Sequence, residues 1–179
     1  MREYFIKTER LGFSIWEPAD FPVAMDLWGS PEVTRYIAKD GHLSEDEIRQ
    51  RLLREIDSFH SSGVQYWPVY LLETNQNIGC CGLRPYKPDE NVLEMGVHLK
   101  HDCWGKGYAV EACKAVIAYA LNTLRVQGLF AGHNPQNQAS AQLLKKLGFV
   151  YTHDEFYAPT GLQHPSYMLT RKSYSGKKA

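Results

Sequence analysis

Trp104-Gly105-Lys106-Gly107-Tyr108-Ala109 joins a strand-like run ending at Leu99 to the most regularly patterned helical stretch of the chain, Gly107 to Arg125. Within that stretch Ala109, Ala112, Cys113, Val116, Ile117, Ala120, Leu121 and Leu124 share one face, as in a helix laid against a core. A strand, a short loop with two glycines and a helix start make an anion cradle. The glycines let the backbone approach a ligand, and the helix N-terminus offers unpaired N–H groups at the positive end of its dipole. Lys106 adds a cation. An ordinary strand-to-helix turn can also use glycine, so the loop points to a phosphate without naming its owner. It is not GxxxxGK[ST], and Val110 stands where a third glycine would complete GxGxxG, which disfavours a P-loop or a dinucleotide site.

Working outward, Leu11 to Trp16 reads as an opening strand stopped by Glu17-Pro18, and Phe21 to Trp28 carries helical spacing. Ser44 to Phe59 does so too: Ser44 and Glu47 fit a capping box, Ile48, Leu52, Leu53 and Ile56 form its stripe, and Gly63 ends it. Tyr66 to Thr74, Asn77 to Pro85 and Asn91 to Leu99 read as a three-strand antiparallel meander. After the long helix come a short strand, Gln127 to Gly132, and a helix with Asn134 as N-cap and Pro135 at its first position, closed by Gly148. Phe149 to Phe156 and Ser166 to Thr170 complete the order. The class is α+β, an α/β sandwich of a mixed sheet with helices on its faces.

With 179 residues, 44% of them hydrophobic, one compact domain is expected. Twenty Lys+Arg balance twenty Asp+Glu, so no net field draws the chain to nucleic acid or an anionic membrane. Cys80, Cys81, Cys103 and Cys113 show no CxxC spacing, and the seven histidines no ligand spacing; reduced thiols and no metal are expected. Neither a signal peptide nor a membrane-length apolar run is legible, which points to the cytoplasm.

The loop and its helix resemble the GNAT superfamily of acetyl-CoA-dependent N-acyltransferases, whose fingerprint is Gln/Arg-x-x-Gly-x-Gly/Ala. Trp104 replaces the leading Gln/Arg, and Glu111-Ala112 follows, as in the Rim-type branch of ribosomal-protein N-terminal acetyltransferases. That branch's second motif, Asn-x-x-Asn-x-x-Ser ending in Lys-x-Gly-Phe, is matched by Asn134, Asn137, Ser140, Lys146, Gly148 and Phe149. The resemblance covers roughly residues 8 to 171, with 172 to 179 expected as a flexible tail. It implies that Gly105, Lys106, Gly107, Tyr108 and Ala109, beside Trp104, bind the CoA pyrophosphate. Val97 and Leu99 would meet the pantetheine arm with their main chain, and Asn134 and Asn137 would also contact the cofactor.

Transfer of an acetyl group to an amine needs a base for the ammonium proton and an acid for the leaving thiolate. Alternation places Glu94, Gly96 and His98 on one face of their strand and Leu93, Met95, Val97 and Leu99 on the other. By resemblance Glu94 is the general base and His98 the runner-up, although a bulge after Gly96 would turn His98 away and a solvated Glu94 would also fit the pattern. Many relatives protonate the thiolate with a Tyr, but that position is Leu144 here; Ser140 becomes the proton donor, unless its hydroxyl bonds the Gln136 carbonyl. The acceptor mouth is expected at Tyr66, Trp67, Tyr157 and the segment 158 to 165, with Asp154 and Glu155 near. The acceptor is a protein N-terminal amine or a small amine such as a polyamine, aminoglycoside or amino acid. A module that senses acyl-CoA without transfer is the alternative, and both monomers and homodimers occur among relatives.

Overall fold

The computed structural model describes residues 2–175. β1 (Ile6–Lys7) and β2 (Leu11–Phe13) lead into α1 (Phe21–Trp28), the short α2 (Pro31–Thr34) and α3 (Glu45–Ser62). The meander follows as β3 (Tyr66–Leu71), β4 (Asn77–Lys87) and β5 (Val92–Leu99), then α4 (Tyr108–Ala118), β6 (Gly128–Gly132), α5 (Gln138–Leu147), β7 (Val150–Tyr157), β8 (Leu162–Thr170) and α6 (Arg171–Ser175). Among the described residues the strands form one sheet in the order β1-β2-β3-β4-β5-β6-β8-β7. β5 and β6 run parallel; the other neighbours are antiparallel. The mixed sheet with flanking helices is the expected α+β sandwich.

The sheet carries a core on each face. One lies under α4 and α5 and includes Leu11, Val69, Ile78, Cys113, Val116 and Leu129; the other lies under α1 and α3 and includes Trp16, Trp28, Ile48, Leu52, Tyr66 and Cys80. Neighbouring residues of β4 point to opposite faces, so Cys80 joins the second core and Cys81 the first, and all four thiols are free and buried.

Local expectations hold where capping chemistry is complete. Ser44 and Glu47 bond reciprocally at the start of α3, and Gly63, at φ 75°, closes it. Several others are corrected. The opening strand stops at Phe13, because Trp16 leaves the ladder to bond the buried Gln65 side chain and the Tyr66 carbonyl. On α3, Leu53 is exposed and Glu55, 1% exposed, takes the inward position. The long helix changes to one π-type turn over Tyr119–Thr123. Asn137, not Asn134, caps α5 by accepting from the Ser140 amide at 3.1 Å, while Asn134 closes the preceding turn by accepting from the Gln136 amide at 3.0 Å. Of the expected tail, residues 172–175 lie in α6 and 176–179 fall outside the described residues.

Candidate active site

The β5–β6 ladder pairs Val92, Leu93 and Glu94 with Gly128, Leu129 and Phe130 and ends there. Beyond Glu94, β5 is held by β4 and β6 by β8, so the sheet splits at the carboxyl ends of its two parallel strands, where open α/β sheets bind ligands. A cavity of ≈ 820 Å³ occupies the split. It runs from the glycine loop and α5 to the α3 side of the sheet, where Arg51, Tyr66 and Arg84 line it.

At the loop, Gly105 and Gly107 adopt φ of 72° and 81°, which side-chain-bearing residues rarely do, and Gly107 is the N-cap of α4. The amides of Gly105 to Val110 donate to no acceptor among the described residues. A Cβ on Gly105 would meet nothing within 4 Å, so the cradle is open toward solvent. These free donors at a helix N-terminus fit a pyrophosphate. Trp104, Gly105, Gly107, Tyr108 and Ala109 line the cavity; Lys106 is exposed and does not.

What holds the loop was not read from the sequence. Arg10 donates to the Lys106 carbonyl (3.1 Å) and to Glu111 Oε2 (2.7 Å), and it stacks on Tyr108 at 4.5 Å. Thr8 Oγ1 donates to Glu111 Oε1 at 2.6 Å. The Trp104 indole donates to the Leu99 carbonyl at 2.9 Å, which latches the loop onto β5 and occupies an oxygen expected to serve the cofactor arm. Val97 and Leu99 both line the cavity.

A valine at position 107 would force a branched side chain into the left-handed region, a cost of about 1–3 kcal/mol. The Cβ itself would meet only Arg10 Nη2, at 3.5 Å, so backbone strain rather than a clash distorts the cradle. Gly107→Val should weaken CoA binding at least about tenfold by calorimetry; wild-type affinity would remove the loop from the binding site.

Glu94 sits where the sheet splits. Gly96 has no side chain, and a Cβ there would collide with the Tyr66 ring; that gap lets the Tyr66 hydroxyl donate to Glu94 Oε1 at 2.8 Å. Burial, with Glu94 next to it, raises the Tyr66 pKa well above the usual phenol value, so the hydroxyl stays a donor. Arg84, opposite Glu94 in the β4–β5 register, covers the Tyr66 ring at 4.0 Å and pairs with buried Glu55, which also accepts from the Tyr66 amide at 2.8 Å. This network joins α3, β3, β4 and β5. The β4–β5 register is unbroken from Gly79–Leu99 to Pro85–Leu93, so no bulge follows Gly96 and His98 keeps the face of Glu94. His98 Nδ1 accepts from the Trp28 indole at 3.3 Å, and burial with the charges of Arg51 and Arg84 lowers its pKa well below the usual imidazole value. Its Nδ1 lone pair is therefore engaged.

On α5, Ser140 is half-buried and lines the cavity beside Asn137 and Leu144. Its Oγ bonds neither the Gln136 carbonyl nor any other group among the described residues. Asn134 also lines the cavity, with its side chain bonded to the Gln136 amide and, at 3.4 Å, to the Tyr36 carbonyl. At the acceptor side Tyr66, Tyr157, Glu155 and His164 line the wall. Trp67 does not: β3 is covered on both faces, and its neighbour Tyr66 takes the cavity side while Trp67 is fully buried in the first core. Asp154 lies exposed outside the cavity. Among the described residues no cluster of His, Cys, Asp and Glu could hold a metal, and no helix is long and apolar enough to cross a membrane.

Residues 10–150 match the family described as acetyltransferase (GNAT) domain. A Bacillus licheniformis protein named uncharacterized N-acetyltransferase p20 is 30% identical over 142 residues, covering 79% of this chain and 80% of the relative. Among solved structures, a GNAT-family acetyltransferase from Bacillus anthracis superposes with TM-score 0.79 at 23% identity, over 93% of this chain and 98% of that one. Spermidine N-acetyltransferase from Vibrio cholerae, in complex with CoA and spermine, gives TM-score 0.77 at 17% identity, over 94% and 99%.

Proposed function

The chain belongs to the GNAT acetyltransferase family, and on that premise we propose that it moves the acetyl group of acetyl-CoA directly to a primary amine. The observation that carries this reading is a single cavity joining the free amides of Gly105 to Val110 with the Glu94 carboxylate through the split in the sheet.

Acetyl-CoA supplies an activated acyl group and a thiolate leaving group. The loop amides would hold its pyrophosphate, and the free edge of β5 at Val97 its pantetheine arm. Glu94 takes the proton of the entering ammonium, oriented by the Tyr66 hydroxyl, which stays protonated. The nitrogen would bond the acyl carbon as the carbon–sulfur bond breaks; Ser140 Oγ would give its proton to the sulfur and take up the second proton that the nitrogen loses on becoming an amide, so that Ser140 ends as a hydroxyl and the thiol leaves neutral. The free hydroxyl of Ser140 suits this duty, since Leu144 offers no proton where many relatives carry a Tyr. Cys103 also borders the cavity, but burial and the Asp102 side chain raise its pKa, which makes it a poor acetyl carrier and favours direct transfer.

The Rim-type motifs favour an amino terminus of a polypeptide as acceptor, and the shared fold with a spermidine acetyltransferase keeps small amines in view. Thiol release from acetyl-CoA, run against peptides, polyamines, aminoglycosides and amino acids, tests the reading. Release that depends on an amine supports it. A thermal shift with CoA and no release for any amine would favour a sensor, and no CoA binding would overturn the assignment. Ser140→Ala should lower kcat about tenfold or more with CoA affinity retained; an unchanged kcat would return the proton to water.

A further inference from the structure

At the end of the cavity away from the glycine loop, one cation stands without a paired acid. Two guanidinium groups, Arg51 of α3 and Arg84 of β4, line it there together. Arg84 is matched: it pairs with Glu55, and the Glu94 carboxylate adds to the negative charge it feels. Arg51 is not. It makes no hydrogen bond and no ion pair among the described residues, and its Nε is buried without a partner. Its guanidinium packs over the Trp28 ring at 4.9 Å. Burial, and the Arg84 charge beside it, lower its pKa; Glu55, already paired with Arg84, is the carboxylate that acts against this.

A guanidinium stays charged in proteins, and a half-buried one whose Nε has no partner loses solvation that nothing in the chain replaces. Such a group in the wall of a binding cavity is explained by a ligand that supplies the missing anion. The planar fork of arginine suits a carboxylate or a phosphate, which it can grip with two N–H donors. A second ammonium carried to Arg51 by a polyamine would meet a like charge, and like charges in a site of low dielectric repel.

We propose that the amine acceptor carries an anionic group, a carboxylate or a phosphate, which Arg51 binds while the amine faces Glu94. This rests on the acetyl-transfer reading above and narrows its substrate class to amino acids, acidic or carboxyl-terminated peptides and amino phosphates. Arg51 is then a specificity residue: it fixes where the acceptor lies and leaves the proton steps to Glu94 and Ser140.

The test uses matched amines in the thiol-release assay and in calorimetric titration of the CoA-saturated protein. The pairs are an α-amino acid and its amide, a dipeptide and its C-terminal amide, and phosphoethanolamine and ethanolamine, with spermidine as the cationic control. In at least one pair the anionic member should bind about tenfold or more tightly than its neutral partner, as expected for a hydrogen bond to a charged group. The favoured pair identifies carboxylate or phosphate. Arg51→Gln should bring that ratio close to one by raising the KM of the anionic member more than it lowers kcat, and Arg51→Lys should restore part of it. CoA affinity and thermal unfolding, measured on each variant, show whether it has folded. Equal binding within every pair, preference for spermidine, or a ratio that survives Arg51→Gln in a folded, CoA-binding variant would overturn the proposal. Failure of the wild type to bind CoA would instead overturn the transfer reading beneath it.

Discussion

Glu94→Gln should lower kcat by about 10²–10⁴-fold and leave CoA affinity near that of the wild type, because the substitution removes a proton acceptor from the transition state. The amide keeps the shape of the carboxylate and an oxygen for the Tyr66 hydroxyl, which now donates to it at 2.8 Å. The fold should therefore stand. The glycine loop, held by Arg10 and Glu111, is built independently of Glu94, so cofactor binding has no reason to change. Steady-state kinetics with calorimetry on the same preparation separates the two effects. An unchanged kcat would remove Glu94 as base; a joint loss of rate and CoA binding would mean that it shapes the cavity.

The largest effect on stability is expected at Glu55. Its carboxylate is 1% exposed, pairs with Arg84 and accepts from the Tyr66 amide at 2.8 Å, while its own carbonyl accepts from Gln65. Glu55→Ala would leave a mostly covered guanidinium uncompensated and a buried N–H unpaired. Removing one partner from a buried pair costs about 3–5 kcal/mol, a large share of the roughly 5–15 kcal/mol that keeps a domain folded. Denaturant unfolding should show the unfolding free energy falling by that amount. Glu55→Gln, which can still accept from the Tyr66 amide, should recover part of the loss. A shift under about 1 kcal/mol for the alanine variant would mean that Arg84 is solvated and that the network does not hold α3 to the sheet.

Local chemistry carried most of what could be read in advance. The apolar stripe of α4, the capping box of α3 and the two glycines of the loop depend on neighbours in sequence, and each is found where the pattern puts it. The cavity likewise gathers Glu94, Ser140, Asn137 and most of the loop, residues far apart in the chain. The network around Glu94 was not legible because it is tertiary. Glu55 reads as one more polar residue on a charged helix until α3 is laid across β3 and β4, and nothing near Arg84 in sequence says that it meets Glu55. Burial on both faces erases alternation along β3, so the pattern does not tell which of Tyr66 and Trp67 faces the mouth. Asn134 and Asn137 are both plausible caps; the turn closed by Asn134 delays the helix and leaves its cap to Asn137.

Single-turnover product analysis tests direct transfer most directly: the protein is mixed with substoichiometric acetyl-CoA, with and without an accepted amine, and thiol, N-acetylated product and protein mass are followed together. The account predicts thiol and acetylated amine in equal amounts, neither formed without the amine, and no acetyl group on the protein at any time. Thiol released in the absence of amine with an acetyl adduct on the chain, or acetyl-CoA that stays bound and intact whatever amine is supplied, would contradict it.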